Sequence, residues 1–319
     1  MTRIATLTMN PALDVTTATE TIRPAHKLRC DAPRFDPGGG GINVARVIAA
    51  LGGEAIAVFP SGGPAGAQVE RLLKDAGVVF RAVPLTGFTR ESFTVDESTS
   101  GNQYRFVLPG PSLSDAEQTA CLDALAGLSP RPRWLVASGS LPPGVPDSFY
   151  KALGDHCRSH DVELLLDTSG PALAACEGLG AALIKPSLHE VEQLTGRTIA
   201  DEAAEAAAAH DLVDRGFADA VLLSLGSRGA LLVTSRIERR FPAAEVKVCS
   251  TVGAGDSMLA AVTLGLSRGM ELVDAVRLGI AAGAAALMAP GTSLAHLDDV
   301  TRLHETLLAR ERETSHQVN

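Results

Sequence analysis

The run Ser250-Thr251-Val252-Gly253-Ala254-Gly255-Asp256-Ser257 brackets one small residue with glycines and follows them with an acid, where an apolar, helix-like stretch begins. Two glycines allow a tight backbone turn. A helix from about Ser257 to Arg268 leaves its first amide N–H groups without partners. Those donors and the positive end of the helix dipole favour phosphate oxygens. Asp256, in the first turn, would stand beside such an anion, close enough to take a proton from an attacking hydroxyl. Phosphoryl transfer to an alcohol needs both features. The same eight residues could also form a plain glycine turn in which Asp256 only stabilises the helix start. The chain contains no Gly-Lys pair, so a Walker loop is absent, and Met258 stands where the dinucleotide fingerprint requires glycine.

Four other stretches carry residue types that could serve such a turn. Gly38-Gly39-Gly40-Gly41-Ile42-Asn43 leads into an amphipathic helix with apolar Val44, Val47, Ile48 and Leu51. Its amides could lie flat against a ligand, and a flexible hinge is the alternative. Ser138-Gly139-Ser140-Leu141-Pro142-Pro143-Gly144 ends a strand with small polar groups that suit a sugar edge or a structural turn. Ser224-Leu225-Gly226-Ser227-Arg228-Gly229 could admit a nucleotide to its backbone, or could be a hairpin. Ser187 and Glu190 have capping-box spacing, which competes with a role for Glu190 beside a magnesium-bound phosphate. Asp14, just past the first strand, could hydrogen-bond a polyol or be a solvated turn residue.

A chain of 319 residues, 45% hydrophobic, can bury a large core. Its net charge of -9 argues against nucleic acid as a main partner, because phosphate backbones are bound through excess Lys and Arg. The five cysteines are widely spaced without a Cys-x-x-Cys pair, which predicts reduced thiols and a cytoplasmic protein. The apolar stretch near Leu278 to Pro290 is too short to span a bilayer, so no membrane partner is expected, and the histidines show no zinc-ligand spacing.

Apolar runs at 4–9, 55–59, 78–83, 134–138, 162–167, 182–185 and 220–225 read as strands separated by helices. That alternation predicts an α/β fold with a mostly parallel central sheet covered on both faces. The extended, mixed segments 28–35, 89–95 and 103–108 fit strands outside that sheet. The tail beyond Arg310 reads as disordered.

Together these motifs resemble the ribokinase-like superfamily, and within it the phosphofructokinase B family, most closely its 6-phosphofructokinase isozyme 2 branch. The resemblance runs from Asn10 to about Leu308, with the motifs in the family's order. It implies one three-layer α/β kinase domain spanning residues 1–319, with a small β-sheet lid formed by 14–36 and 88–108. A homodimer through that lid is also implied. Asp256 would be the catalytic base, with Gly253, Ala254 and Gly255 lending amides to the γ-phosphate of ATP. Asp14, Gly38, Gly39, Asn43 and Ser140 would hold the sugar; Lys185, Ser187, Ser224, Gly226 and Gly229 would line the nucleotide site. Glu190 would meet Mg2+, directly or through water. K+ would sit among oxygens of Ser250, Val252, Ala286, Ala289, Gly291 and Ser293. The chain departs from the family at Ser187, where relatives usually have asparagine; serine caps a helix but lacks the amide donor.

Lys27, Arg90 and Arg105 lie in the lid segments, and a sugar that already carries a phosphate needs such charge-assisted partners. The expected reaction is therefore ATP-dependent phosphorylation of fructose 6-phosphate at O1, giving fructose 1,6-bisphosphate. Tagatose 6-phosphate and fructose 1-phosphate are alternative substrates. A non-catalytic sensor of sugar phosphate and nucleotide is the alternative from another class.

Overall fold

The structure is a computed structural model that describes residues 4–289 and 294–317. Among these lie thirteen strands and ten helices. The first half contains β1 (Ile4–Leu7), β2 (Ala12–Thr19), β3 (Arg34–Gly38), α1 (Gly40–Ala50), β4 (Ala55–Ser61), α2 (Gly63–Asp75), β5 (Val79–Pro84), β6 (Arg90–Glu97), β7 (Gln103–Val107), α3 (Asp115–Ala126), β8 (Trp134–Ser138) and α4 (Phe149–Ser159). The second half contains β9 (Glu163–Asp167), α5 (Gly170–Ala174), β10 (Leu183–Ile184), α6 (Leu188–Thr195), α7 (Glu202–Asp214), β11 (Ala220–Ser224), β12 (Ala230–Thr234), β13 (Glu238–Phe241), α8 (Ala254–Ser267), α9 (Leu272–Met288) and α10 (Leu297–Gln317).

Nine strands form the central sheet in the order β13-β12-β11-β10-β9-β8-β1-β4-β5. It is parallel from β5 through β11, and β12 and β13 are added antiparallel at one edge. Successive side chains of a strand point to opposite faces, and the strands here are apolar on both. Leu222 joins one core with α1, α8, α9 and α10, while Val221 and Leu223 join another with α3, α4 and α7. Helices therefore cover the sheet on both sides, and the fold is three-layered. Val300, Leu303 and Leu307 bury one stripe of α10, which continues through Gln317 instead of fraying at Arg310. Arg239 and Arg277 both hold the Glu311 carboxylate, at 3.1 and 2.7 Å, and anchor that last stretch.

A second sheet, ordered β3-β2-β6-β7, is built from residues 12–38 and 90–107. Residues 20–33, between β2 and β3, carry no strand, so the extended segment expected from Leu28 begins only at Arg34. Register aligns Asp36, Asp14, Ser92 and Val107 in one rung and Arg34, Thr16, Thr94 and Arg105 two residues further on. Because side chains two apart share a face, both rungs present polar groups on the same side. The rung between them, Phe35, Val15, Phe93 and Phe106, belongs to the other side. The sequence Asp-Val-Thr in β2 and Ser-Phe-Thr in β6 is this alternation written out.

Candidate active site

Gly253 starts α8 in the left-handed region, at φ 74°, where glycine alone avoids a Cβ penalty. The helix begins at Ala254, three residues before the predicted start, and Asp256 is in its first turn. Two cavities meet across this turn. One, of about 240 Å³, lies under the small sheet and is lined by Asp14, Gly39, Asn43, Arg90, Arg105, Gly253 and Asp256, with Ser92, Thr94 and Val107 of the polar rungs. The other, of about 260 Å³, is lined by Ser224, Gly226, Gly229, Ala254 and Gly255, and by Met258, Ile280, Gly283 and Leu287. Thr251 lines both. The first is polar and edged by two guanidinium groups. The second is largely apolar with glycine edges, a shape suited to a flat heterocycle beside a backbone.

The Asp256 carboxylate accepts from Asn43 Nδ2 at 2.9 Å and from Ser138 Oγ at 3.4 Å. Burial raises its pKa to about 6, and Asp167 adds to the rise; Asn43, Lys185 and Ser138 pull the other way. A carboxylate poised there is ionised at neutral pH yet basic enough to accept a proton. Asp14 is also raised to about 6 by burial, against Arg90 and Arg105. Its carboxylate lies against Gly38, where a Cβ would overlap it.

Lys185 follows β10, and its ammonium lies 3.0 Å from Asp167 Oδ2 at the end of β9. Burial opposes the charge of Lys185, but the pairing with Asp167, aided by the Asp256 and Glu190 carboxylates, holds the pKa above its ordinary value. A Cβ on Gly255 would sit 3.1 Å from that ammonium, so the glycine brings the lysine directly under the turn.

Other residues lie elsewhere. Ser140 lines neither cavity and accepts from Asn10 Nδ2 at 3.1 Å; Ser138, two positions earlier, is the one that reaches Asp256. Lys27 is exposed in the segment between β2 and β3 and is outside the cavity lining. Gly38 supports Asp14 from behind without lining the space. Ser187 and Glu190 form a reciprocal capping box at α6: Ser187 Oγ accepts from the Glu190 N–H at 3.3 Å, and Glu190 Oε2 accepts from the Ser187 N–H at 2.7 Å. Ser224 to Gly229 is the hairpin turn between β11 and β12, and Ser224, Gly226 and Gly229 also edge the second cavity.

Sequence alone assigns no role to Asp167 or the α9 wall, and it singles out Ser140 rather than Ser138 in their shared loop. Asp167 carried a usable signal, an acid ending the apolar run Leu164-Leu165-Leu166 at a strand's carboxyl end. The α9 residues carried none, because a cavity wall and a core look alike in apolar sequence.

For a monovalent cation, the segment holding Ser250 and Val252 lies against the carboxyl end of α9. Cys249 and Ser250 both donate their N–H to the Leu287 carbonyl, at 2.7 and 3.3 Å, and Ala289 N–H donates to Ala286 O. These contacts seat the Ser250 segment against the last turn of α9 and already engage the Leu287 and Ala286 carbonyls. Gly291 and Ser293 lie outside the described residues. Among the described residues no three or more His, Cys, Asp or Glu side chains converge as metal ligands. A divalent ion here would rely on substrate oxygens beside one or two carboxylates, as Mg2+ does in phosphoryl-transfer sites. Among the described residues no helix is long and apolar enough to cross a membrane.

A three-layer α/β body, a small polar-faced sheet over one cavity and a glycine-edged apolar cavity beside it define a protein built to bring two ligands together at one carboxylate. The chain belongs to the pfkB family of carbohydrate kinases, whose description, "pfkB family carbohydrate kinase", matches residues 7–299. It is 53% identical over 303 residues to the ATP-dependent 6-phosphofructokinase isozyme 2 of Mycobacterium tuberculosis (strain H37Rv), covering 95% of this chain and 89% of that protein. Phosphofructokinase-2 from Escherichia coli, solved in complex with potassium, superposes with a TM-score of 0.92 at 42% identity, over 96% of this chain and 99% of that one. The same enzyme in complex with fructose-6-phosphate gives 0.90 at 40% identity, with the same coverage.

Proposed function

We propose that this chain transfers the γ-phosphoryl group of ATP to O1 of fructose 6-phosphate. The observation that carries the reading is the position of Asp256 at the turn shared by two cavities, one polar and arginine-edged, the other apolar and glycine-edged. The sugar lies in the first, its hydroxyls on Asp14 and Asn43 and its phosphate on Arg105 and Arg90. The adenine lies in the second, against Gly226, Gly229 and the α9 wall. As O1 attacks phosphorus, Asp256 takes its proton; the new P–O bond forms while the bond to the β–γ bridging oxygen breaks and ADP leaves. The amides of Gly253, Ala254 and Gly255 offset charge on the moving group, and Lys185 adds a cation below them. Mg2+ would add neutralisation of the triphosphate, and Glu190 would be the residue to hold it, directly or through water. K+ beside the turn, near Ser250 and Val252, is part of the same reading.

The similarity to 6-phosphofructokinase isozyme 2 relatives supports fructose 6-phosphate over tagatose 6-phosphate and fructose 1-phosphate. ADP release measured across these three sugars, ribose and adenosine tests it. Fructose 6-phosphate should give the highest kcat/KM by at least tenfold; equal turnover of ribose or adenosine would sink the assignment. The protein is read as a cytoplasmic homodimer, two small sheets packing through the face that leaves Phe35, Phe93 and Phe106 40, 37 and 54% exposed. Placing Asp at position 106 should shift the sedimenting mass to the monomer.

A further inference from the structure

Asn43 can present either end of its amide to a neighbour, and only a hydrogen-bond network decides which. Arg46 stands one turn later on α1, and a guanidinium donates without accepting. Its Nη1 donates to Asn43 Oδ1 at 3.2 Å and to the Pro37 carbonyl at 3.0 Å, while Nη2 lies 3.6 Å from Asp36 Oδ1. With its oxygen facing Arg46, Asn43 must turn its NH2 toward Asp256, where the bond measures 2.9 Å. Asp36 and Pro37 belong to β3, an edge strand of the small sheet. An unbroken chain of polar contacts thus runs from that sheet through Arg46 and Asn43 to the carboxylate.

We infer that Arg46 is a positioning residue, which fixes the Asn43 amide so that its NH2 faces Asp256 and ties that orientation to the seating of strand β3. Arg46 lines neither cavity and touches no substrate position. Its side chain is only 16% exposed, so it is held by packing as well as by charge. Without it the Asn43 amide is free to turn its oxygen toward Asp256, and an acceptor facing a carboxylate favours the protonated form. Displacing β3 would loosen the same link, so the base is fully ionised only when the small sheet is in place. Charged groups around the two ends of this link are Asp167 and Lys185 beside Asp256, and Asp36, Asp14 and Arg34 beside Arg46. The Asn43 amide oxygen accepts from Arg46 Nη1 and its nitrogen donates to Asp256, so Arg46 is the donor that sets its direction.

The consequence for turnover rests on Asp256 being the base; the orientation itself does not, and the test separates them. In protein carrying 13C at aspartate Cγ, the Asp256 signal, identified by its loss in Asp256→Asn, is titrated without substrate. Arg46→Met should raise the Asp256 midpoint by about one pH unit, and Arg46→Lys, which keeps a donor, should restore most of it. Asp36→Asn, which leaves Arg46 on Asn43 but removes its counter-charge, should shift the midpoint less, and it serves if Arg46→Met does not fold. Turnover of Arg46→Met should lose activity mainly below pH 7 and recover toward pH 9. A midpoint unmoved in both Arg46→Met and Asp36→Asn overturns the inference. A shifted midpoint with no phosphosugar turnover at any pH, in wild type as well, overturns the proposed function and leaves the inference standing.

Discussion

The Lys185 ammonium lies 3.0 Å from the Asp167 carboxylate beneath the first turn of α8. Each group ends or follows an apolar strand, and the two strands are neighbours in the central sheet. Removing one partner of such a pair leaves the other to be desolvated alone or to change its protonation. Lys185→Met should therefore lose roughly 3–5 kcal/mol of stability in urea denaturation. The double variant Lys185→Met with Asp167→Asn should recover part of that loss. A single variant as stable as the wild type would show that the pair does not act as a unit.

Asp256 gives a prediction whose sign differs between stability and activity. Its folded pKa of about 6 lies above the ordinary 3.8, so between those values the folded state holds more protons than the unfolded chain. The group's contribution to stability is therefore greatest at low pH and declines as pH rises toward 6. Above pH 6 the buried charge is a standing penalty. Asp256→Asn should thus be more stable than the wild type at pH 8, by ~1–2 kcal/mol after allowing for the carboxylate's access to the cavity. That advantage should vanish near pH 4. The same variant should lose at least 1,000-fold in turnover, and wild-type kcat/KM should rise with pH through about 6. Paired denaturant melts at the two pH values and a rate profile from pH 5 to 9 check both signs.

Gly38 leaves no room for a side chain, because a Cβ there would overlap the Asp14 carboxylate. Gly38→Ala should push that carboxylate out of its place while leaving the second cavity untouched. The expected result is a KM for the sugar phosphate raised by about tenfold, the scale of one lost charge-assisted hydrogen bond, with the KM for ATP changed less than twofold. Equal changes in both would mean that Asp14 is not a sugar contact.

The two arginines of the first cavity should separate in their effects. Arg90 donates to the carbonyls of Asn10 and Leu108, which flank the small sheet's entry and exit, so it clamps the sheet to the body. Arg105 is exposed at the cavity edge on β7. Arg105→Ala should raise the KM for the phosphosugar by roughly 10–100-fold with an unchanged melting temperature. Arg90→Ala should raise that KM and also lower the melting temperature. Steady-state kinetics and calorimetry on the pair would expose a shared or reversed pattern.

The sequence by itself determined what is local. Apolar runs marked the central-sheet strands β1, β4, β5, β8, β9, β10 and β11. The Gly-Ala-Gly-Asp turn marked a helix start with an acid in its first turn, and the Ser187 to Glu190 spacing marked a capping box that closes within three residues. The extended character of 89–95 and 103–108 marked β6 and β7 as strands outside the main sheet. Strands β12 and β13 went unnamed, because nothing in their apolar and charged runs separates a hairpin extension from a loop.

Only the tertiary structure decided which of these pieces meet. Asn43 reaches Asp256 across 213 residues, and Ser138 reaches it across 118. That Ser138, and not Ser140, faces the carboxylate depends on where β8 stops and which way its last side chain points. Lys27 shares a segment with the small sheet yet stays outside the cavity. The physical reason is common to all of these: periodicity records which face of an element is buried, but the register and order of strands, fixed by packing over the whole core, decide which ends come together.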